Sequence, residues 1–401
     1  MTRVILVFVS FFLTVSLKGA ILTLPDDFII SPEISRRVDF WEKIFLKYPS
    51  TSSVIHDIDH AELLVDVLDF DALAKKKNVK EISMKSRERI TDAYLDRYEL
   101  AIKRFRHFGK DALKHGLIEQ RLWHVYSRSP EMLEDLLKGK AKLRAQGGLS
   151  DVFLKAAHRA QFYLPYMEHI FQSNNIPPVI TRLPFVESMF NLNAKSKQGA
   201  VGIWQFMRTT AKQYMKVDKM VDERVSPFKA TRAAARYLKN AHEEIKAWPL
   251  TITSYNYGVN GILRAINNLN TRNIDVILNH HKSAAFQYAS KNFYSEFIAA
   301  VLVYNHLVGH GGISKVEGND NIQSFILTKP LDVADLISAS EISEEIFKKY
   351  NPCIKDVVYS RYRRKKLPVP YEIFLPSKLA GVAQKHLNKK YTMATQTGML
   401  Q

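Results

Sequence analysis

The feature that most constrains this chain is an apolar stripe at helical spacing. Phe153, Ala156, Ala157, Ala160, Leu164, Met167 and Phe171 recur every three or four residues. That period puts them on one face of a single helix, which Asn174-Asn175 ends. Pro177-Pro178 opens the next helix, where the first turn tolerates proline. Val179, Leu183 and Val186 lie on its apolar side, and it stops soon after Glu187. Ser226-Pro227 reads as an N-cap followed by an N1 proline. The helix behind it carries Ala233, Ala234, Tyr237, Leu238, Ala241 and Ile245 and stops at Pro249. Another runs through Thr251 to Tyr257 and ends at Gly258. The body of the chain is therefore predicted to be all-helical.

Residues 31 to 145 also read as helical. Lys, Glu, Leu and Asp dominate, Pro and Gly are sparse, and breaks fall at Pro49-Ser50 and Ser129-Pro130. Gly147-Gly148 reads as a linker. After residue 311 the texture changes. Ser324 to Thr328 and Tyr371 to Leu375 have strand character. Val333 to Ala339 and Ser343 to Lys349 between them read as short helices. The fold class is mainly α, with an N-terminal helical region (21–150), a helical central domain (151–310) and a small α+β module (320–380).

At 401 residues and 46% hydrophobic, the composition excludes a disordered or fibrous chain. One cysteine, Cys353, excludes an internal disulfide and a cysteine-based zinc site, and no lipobox cysteine lies near the start. Arg3, the uncharged stretch Val4 to Leu17 and Gly19-Ala20 read as a secretory signal over residues 1–20. Lys18 fits poorly just before that cleavage point, and an uncleaved anchor is the alternative. Export is thus expected, to the periplasm or cell envelope. Fifty-eight Lys and Arg against 40 Asp and Glu give a formal charge of +18, which suits a polyanionic partner. Export argues against nucleic acid as that partner. The basic runs Lys75-Lys76-Lys77, Arg361 to Lys366 and Lys389-Lys390 are scattered, and each alone reads as solvated surface.

One carboxylate stands out. In R-L-P-F-V-E-S-M-F-N (182–191), Glu187 sits among Leu183, Phe185, Val186, Met189 and Phe190. A carboxyl held in apolar surroundings has a raised pKa and can serve as a general acid. The alternative is a surface glutamate on the polar side of an amphipathic helix. No obvious second carboxylate lies near this block. Asp222 and Glu223 precede a helix start, where acids stabilise the dipole. His56 and His60 stand at i and i+4, a spacing that can hold zinc on a helix. Without a neighbouring Glu or a third ligand they read as local polar contacts, and no metal or cofactor is expected.

The block around Glu187, then G-A-V-G-I-W-Q-F (199–206), D-E-R-V-S-P, R-A-A-A-R-Y-L and S-Y-N-Y-G follow in an order that resembles the soluble lytic transglycosylase domain, a relative of goose-type lysozyme. The likeness is strongest to the membrane-bound lytic murein transglycosylase D group and covers residues 151 to 310. It implies a lysozyme-like catalytic domain that cleaves peptidoglycan between N-acetylmuramic acid and N-acetylglucosamine, leaving 1,6-anhydro ends. It implies Glu187 as the lone acid/base, with Ser188, Gln205, Tyr255 and Asn256 at the substrate. Trp204 and Tyr257 could stack on sugar rings; for Tyr237 core packing is the stronger reading. The family's Glu-Thr-Arg-x-Tyr stretch is not matched at Ala289 to Tyr294. The alternatives are a muramidase hydrolysing the same bond and a non-catalytic peptidoglycan-binding protein. The C-terminal module resembles a degenerate LysM-type glycan-binding repeat through Asp332 to Leu336, Asn351-Pro352 and the closing strand Pro370 to Pro376; the alternative is a structural cover on the central domain.

Overall fold

The computed structural model describes residues 21–313, 322–327, 330–360, 365–377, 379–383 and 385. Residues 1–20, read above as a secretory signal, lie outside the described residues, as do Thr328, Lys389-Lys390 and most of the Arg361 to Lys366 run. Among the described residues no helix is long and apolar enough to cross a membrane.

The N-terminal region is not purely helical, which corrects the expectation. Helix α1 (Pro32–Leu46) leads into strands β1 (Ser52–Asp57) and β2 (Leu64–Asp69). Helices α2 (Phe70–Lys76), α3 (Met84–Phe108), α4 (Leu117–Tyr126) and α5 (Pro130–Leu137) follow, and β3 (Leu143–Gly147) closes the unit. The sheet is antiparallel, in the order β2-β1-β3, with Val54 opposite Val67 on one side and Gln146 on the other. All six residues of β1 are buried, so it shows no polar alternation. Its side chains divide two cores. Ile55 joins Leu63, Phe70, Tyr98, Phe105 and Tyr126, while Val54 faces the central core. In β2, Leu64, Val65, Val67 and Leu68 also satisfy a three-and-four spacing, which is why they pass for helix. Gly147-Gly148 is no free linker. Gly147 ends β3, and a Cβ on Gly148 would lie 2.2 Å from the Pro49 carbonyl oxygen.

The central body is helical as expected. Helix α6 (Ser150–Ser173) buries its whole predicted stripe. A 3-10 turn (Pro178–Arg182) precedes α7 (Leu183–Ser188), then come α8 (Arg208–Tyr214), α9 (Pro227–Ile245), α10 (Trp248–Tyr257), α11 (Val259–Leu269), α12 (Ile274–His280) and α13 (Tyr288–Gly309). The Ser226 side chain caps α9 by accepting from the Lys229 amide. Helix α13 is the spine, with Phe293, Phe297, Ile298, Val301, Val303 and Tyr304 buried. It packs against α1, α7 and α10. Helix α1 contributes Ile34, Val38, Phe40, Trp41, Ile44 and Phe45 to this same core.

The C-terminal module has the expected element order plus one short helix: β4 (Ile322–Leu327), α14 (Val333–Ser340), α15 (Glu344–Tyr350), α16 (Asp356–Tyr359) and β5 (Tyr371–Pro376). Strands β4 and β5 pair antiparallel, Ser324 opposite Phe374. Asn351 ties α15 to β5 by donating to the Phe374 carbonyl (2.8 Å) and accepting from its amide (2.9 Å). The module is docked on the central body. The Asp222 amide donates to the Cys353 carbonyl (2.8 Å), Arg232 forks onto Glu372, and Phe374 stacks on Phe228 at 4.9 Å.

Candidate active site

Glu187 sits in the last turn of α7, a helix held at both ends. At its start Arg182 is fully buried, paired with Glu168, with its guanidinium 4.9 Å from the Tyr304 ring centroid. At its end Met189 and Phe190 both take positive φ (51° and 53°) and turn the chain back. The Ser188 hydroxyl donates to the Ile203 carbonyl at 2.9 Å, which fixes the end of α7 to the following loop. Phe185 wedges between Phe153 and Phe190, both 4.6 Å away, and Tyr304 at 5.4 Å. Glu187 itself is half-buried.

Burial raises the Glu187 carboxyl to a pKa of about 8, and no hydrogen bond or positive charge offsets it. The acid is thus protonated at neutral pH and can give its proton to a leaving oxygen. Tyr255 stands beside it. Burial first, and then the Glu187 charge, hold its phenol far above the usual range, so it remains a donor. Its hydroxyl donates to the Trp204 carbonyl at 2.7 Å.

The loop from Ala194 to Phe206, tied to the end of α7 through Ile203, is tightly closed. Gly202 (φ 80°) lies against the Arg224 carbonyl, where a Cβ would sit 2.0 Å from the oxygen. Gln205 takes φ 48°, and its amide nitrogen donates to Gly202 (2.8 Å) and Ala194 (3.3 Å) carbonyls. That leaves its side-chain oxygen for a ligand. Asn256 is exposed, and its side-chain oxygen accepts from the Ser290 hydroxyl (2.7 Å), which leaves its amide group for a ligand.

Trp204 corrects an expectation. It is fully buried, stacked on Phe171 at 5.6 Å, with its indole N–H donated to Thr231 at 2.9 Å. Neither ring face is open to a sugar. Its contribution to the site is the backbone carbonyl that holds Tyr255. Tyr237 packs edge-on against Phe206, Tyr214 and Tyr255, as core packing requires. Tyr257 contacts His281 and Phe286 instead, beside a cavity of about 440 Å³ that contains none of the candidate residues. Asp222 and Glu223 keep the structural part expected of them. Asp222 caps a 3-10 turn and pairs with Arg224; Glu223 pairs with Lys229. His56 lies on β1 and not on a helix, so the i, i+4 geometry with His60 does not arise.

One residue escapes the sequence reading. Glu296 of α13 comes from more than a hundred residues away and faces the same space. Burial first, then the Glu187 charge, raise its carboxyl to about 8, while Arg144 of β3 pulls it down. The Arg144 guanidinium lies 3.6 Å from the Tyr288 ring centroid. Only α13's position against α7 brings the two carboxyls together.

Within a helical body, the structure thus holds two carboxyls, Glu187 and Glu296, that burial raises to about 8. The family model described as Transglycosylase SLT domain matches residues 167–278 of this chain. Two curated relatives sharpen it. Over 126 residues the chain is 32% identical to membrane-bound lytic murein transglycosylase D of Escherichia coli (strain K12), covering 31% of this chain and 27% of that protein. Over 122 residues it is 31% identical to a protein of Alteromonas sp. (strain M-1) named for tributyltin chloride resistance, covering 30% of this chain and 58% of that one. The chain thus spans about a quarter to three-fifths of the relatives it matches. Among solved structures, an inactive mutant of lytic transglycosylase Slt from Pseudomonas aeruginosa aligns over 69% of this chain and 44% of that one, at 13% identity and a TM-score of 0.33.

Proposed function

We propose that this protein is a peptidoglycan lytic transglycosylase with Glu187 as its acid/base. The observation that carries the reading is a carboxyl kept protonated near neutral pH by burial alone, inside the span that matches the SLT domain. Glu187 protonates the oxygen leaving N-acetylmuramic acid. The substrate's acetamido group assists at the anomeric carbon. Glu187, now a carboxylate, takes the proton of the C6 hydroxyl as that oxygen closes the 1,6-anhydro ring, and the acid is restored. Tyr255, the Gln205 oxygen and the Asn256 amide orient the sugars. Ser188 acts through the backbone it fixes.

A second reading, hydrolysis of the same bond, is favoured by one observation: Glu296 supplies the second carboxyl that conventional glycosidases use. Product mass separates the two, since hydrolysis adds one water. Mass analysis of products from purified peptidoglycan is the test, with Glu187→Gln as control. Full wall-cleaving activity in that variant would end the assignment.

In this reading the chain is exported to the periplasm or cell envelope, with residues 1–20 as its leader, and acts on murein there. The charge of +18 draws it to the carboxylates of peptide stems, and salt weakens that attraction. The element order of the C-terminal module supports a LysM-like glycan-binding part, and its docking supports a covering one. Co-sedimentation with insoluble peptidoglycan, full chain against a chain ending before residue 320, separates them: equal binding leaves the covering role.

A further inference from the structure

A second cavity, of about 280 Å³, lies on the seam between the central body and the C-terminal module. Four cations line it, Lys216, Lys229, Arg232 and Arg236, against two carboxylates, Glu223 and Glu372. Both carboxylates are occupied. Glu223 accepts from the Lys229 ammonium with one oxygen and from the Lys216 backbone amide with the other, each at 2.7 Å. Glu372 offers one oxygen to each arm of Arg232. Lys229 is further engaged by the Tyr371 ring, whose centroid is 3.6 Å from its ammonium.

The other two cations meet no acid. Among the described residues the Lys216 ammonium makes no hydrogen bond or ion pair. The Arg236 guanidinium donates to the Tyr214 carbonyl and lies 6.0 Å from that residue's ring centroid. Arg236 is exposed and Lys216 half-buried, so both can reach a ligand from solvent. Two unpaired cations beside two neutralised pairs make a local positive potential that suits an anion. A guanidinium and an ammonium together suit a carboxylate, the first by its fork and the second as a point charge.

Ring contacts tie this cavity to the candidate site. Tyr214, in its lining, stands edge-on to Tyr237 at 5.9 Å, and Tyr237 stands edge-on to Tyr255 at 5.5 Å. Tyr255 and Ser188 in turn donate to neighbouring carbonyls, those of Trp204 and Ile203. Two ring-to-ring steps thus separate the cavity from the phenol at the site. Small-molecule sites run from about 300 to 1,000 Å³, so a cavity of about 280 Å³ takes a short branch rather than a strand. Murein is a glycan with peptide branches, and the branches bear its carboxylates.

We propose that the seam cavity is a second binding site, which takes a peptide-stem carboxylate of a strand bound at Glu187, with Lys216 and Arg236 as the groups that hold it. Pro370 and Tyr371 of the C-terminal module complete its lining. This rests on the reading of the chain as a peptidoglycan-cleaving enzyme and adds to it a preference for strands that keep their stems.

The test compares glycan strands that keep their stems with strands stripped of them by an amidase, using the full chain. The parent should favour the first in kcat/KM by about tenfold at low salt, and the preference should shrink as salt rises. Lys216→Gln combined with Arg236→Gln should bring the ratio toward one. Lys216→Arg combined with Arg236→Lys keeps both charges and should restore most of it. A purely structural defect would lower both turnovers and leave the ratio alone. Lys216→Gln by itself, at a side chain with no partner to lose, carries the test if the double variant does not fold. Calorimetric titration with the free tetrapeptide stem reads the site without turnover, and the double variant should bind it about tenfold more weakly. Equal turnover of both strands by the parent overturns the proposal, as does a ratio or an affinity unmoved by the substitutions. Inorganic phosphate binding as tightly as the stem also overturns it, since the site would then be one for small anions. Full activity in Glu187→Gln would instead remove the enzymatic reading, while the titration still reports on the cavity.

Discussion

The two flanks of the central body are attached in different ways. The N-terminal unit gives up one of its own helices: α1 lays Phe40, Trp41, Ile44 and Phe45 into the central core, and β3 sends Arg144 toward the carboxyl pair. The C-terminal module keeps most of its core to itself and holds on through backbone hydrogen bonds, the Arg232–Glu372 pair and the Phe228–Phe374 stack. Among the described residues no hydrogen bond or ion pair joins the module to Glu187, Ser188, Gln205, Tyr255 or Asn256. The first flank is thus a structural part of the site, and the second is an attachment. A side chain that packs in two units at once couples their melting; α1 lays six buried side chains into the central core, whereas Tyr350 and Phe374 are the buried ones the described part of the module places there.

Four experiments can break that contrast, from the largest effect to the smallest. Phe40 is fully buried and lies 4.3 Å from the His56 ring and 5.4 Å from Trp41. Phe40→Ala should cost about 3–5 kcal/mol and lower activity together with stability, measured by denaturant unfolding and glycan turnover. A loss of stability with full activity would show the flank to be separable.

His56 gives a pH signature at the same junction. Burial lowers its pKa from 6.5 to about 4. Its Nδ1 faces the Asp57 carbonyl at 2.7 Å and so must carry the proton of the neutral ring. A depressed folded pKa means the unfolded chain binds the proton first as pH falls. Stability present above pH 6.5 is therefore lost between 6.5 and 4, by about 3 kcal/mol. His56→Gln should flatten that part of the stability-against-pH curve, whatever it does to the absolute value.

On the other flank, Asn351→Ala removes both hydrogen bonds to Phe374 and leaves that backbone unpaired. It should cost about 2 kcal/mol, confined to the module, so that hydrogen exchange rises in β4 and β5 while glycan turnover holds. Arg232→Gln should have the smallest effect, about 1 kcal/mol or less, because the pair it breaks is partly solvated. A large fall in activity from either would make the module a working part of the site.

Legibility in the sequence followed what each residue touches. The stripe from Phe153 to Phe171 could be read because one face of α6 meets the core and the other meets solvent, which writes a period into the sequence. Strand β1 could not, because Val54 and Ile55 face different cores and both faces are dry. Glu187 was legible by contrast with its neighbours and by the motif around it. Trp204 was misplaced because an indole suits a sugar and a core equally well, and only the packing against Phe171 and Thr231 decides. Glu296 left no local signal: flanked by Ser295 and Phe297 on a long amphipathic helix, it is a carboxyl whose meaning comes entirely from α7.

Helix α13 has a consequence for anyone dissecting the molecule. The span that matches the SLT domain stops at residue 278, ten residues before α13 begins. A fragment cut at that border would keep every motif residue and lose the wall behind Phe185 and Glu187. Water would reach the acid, and its proton would leave at the pH of any surface glutamate. The dryness that makes Glu187 useful is on loan from a helix that its own motif does not contain.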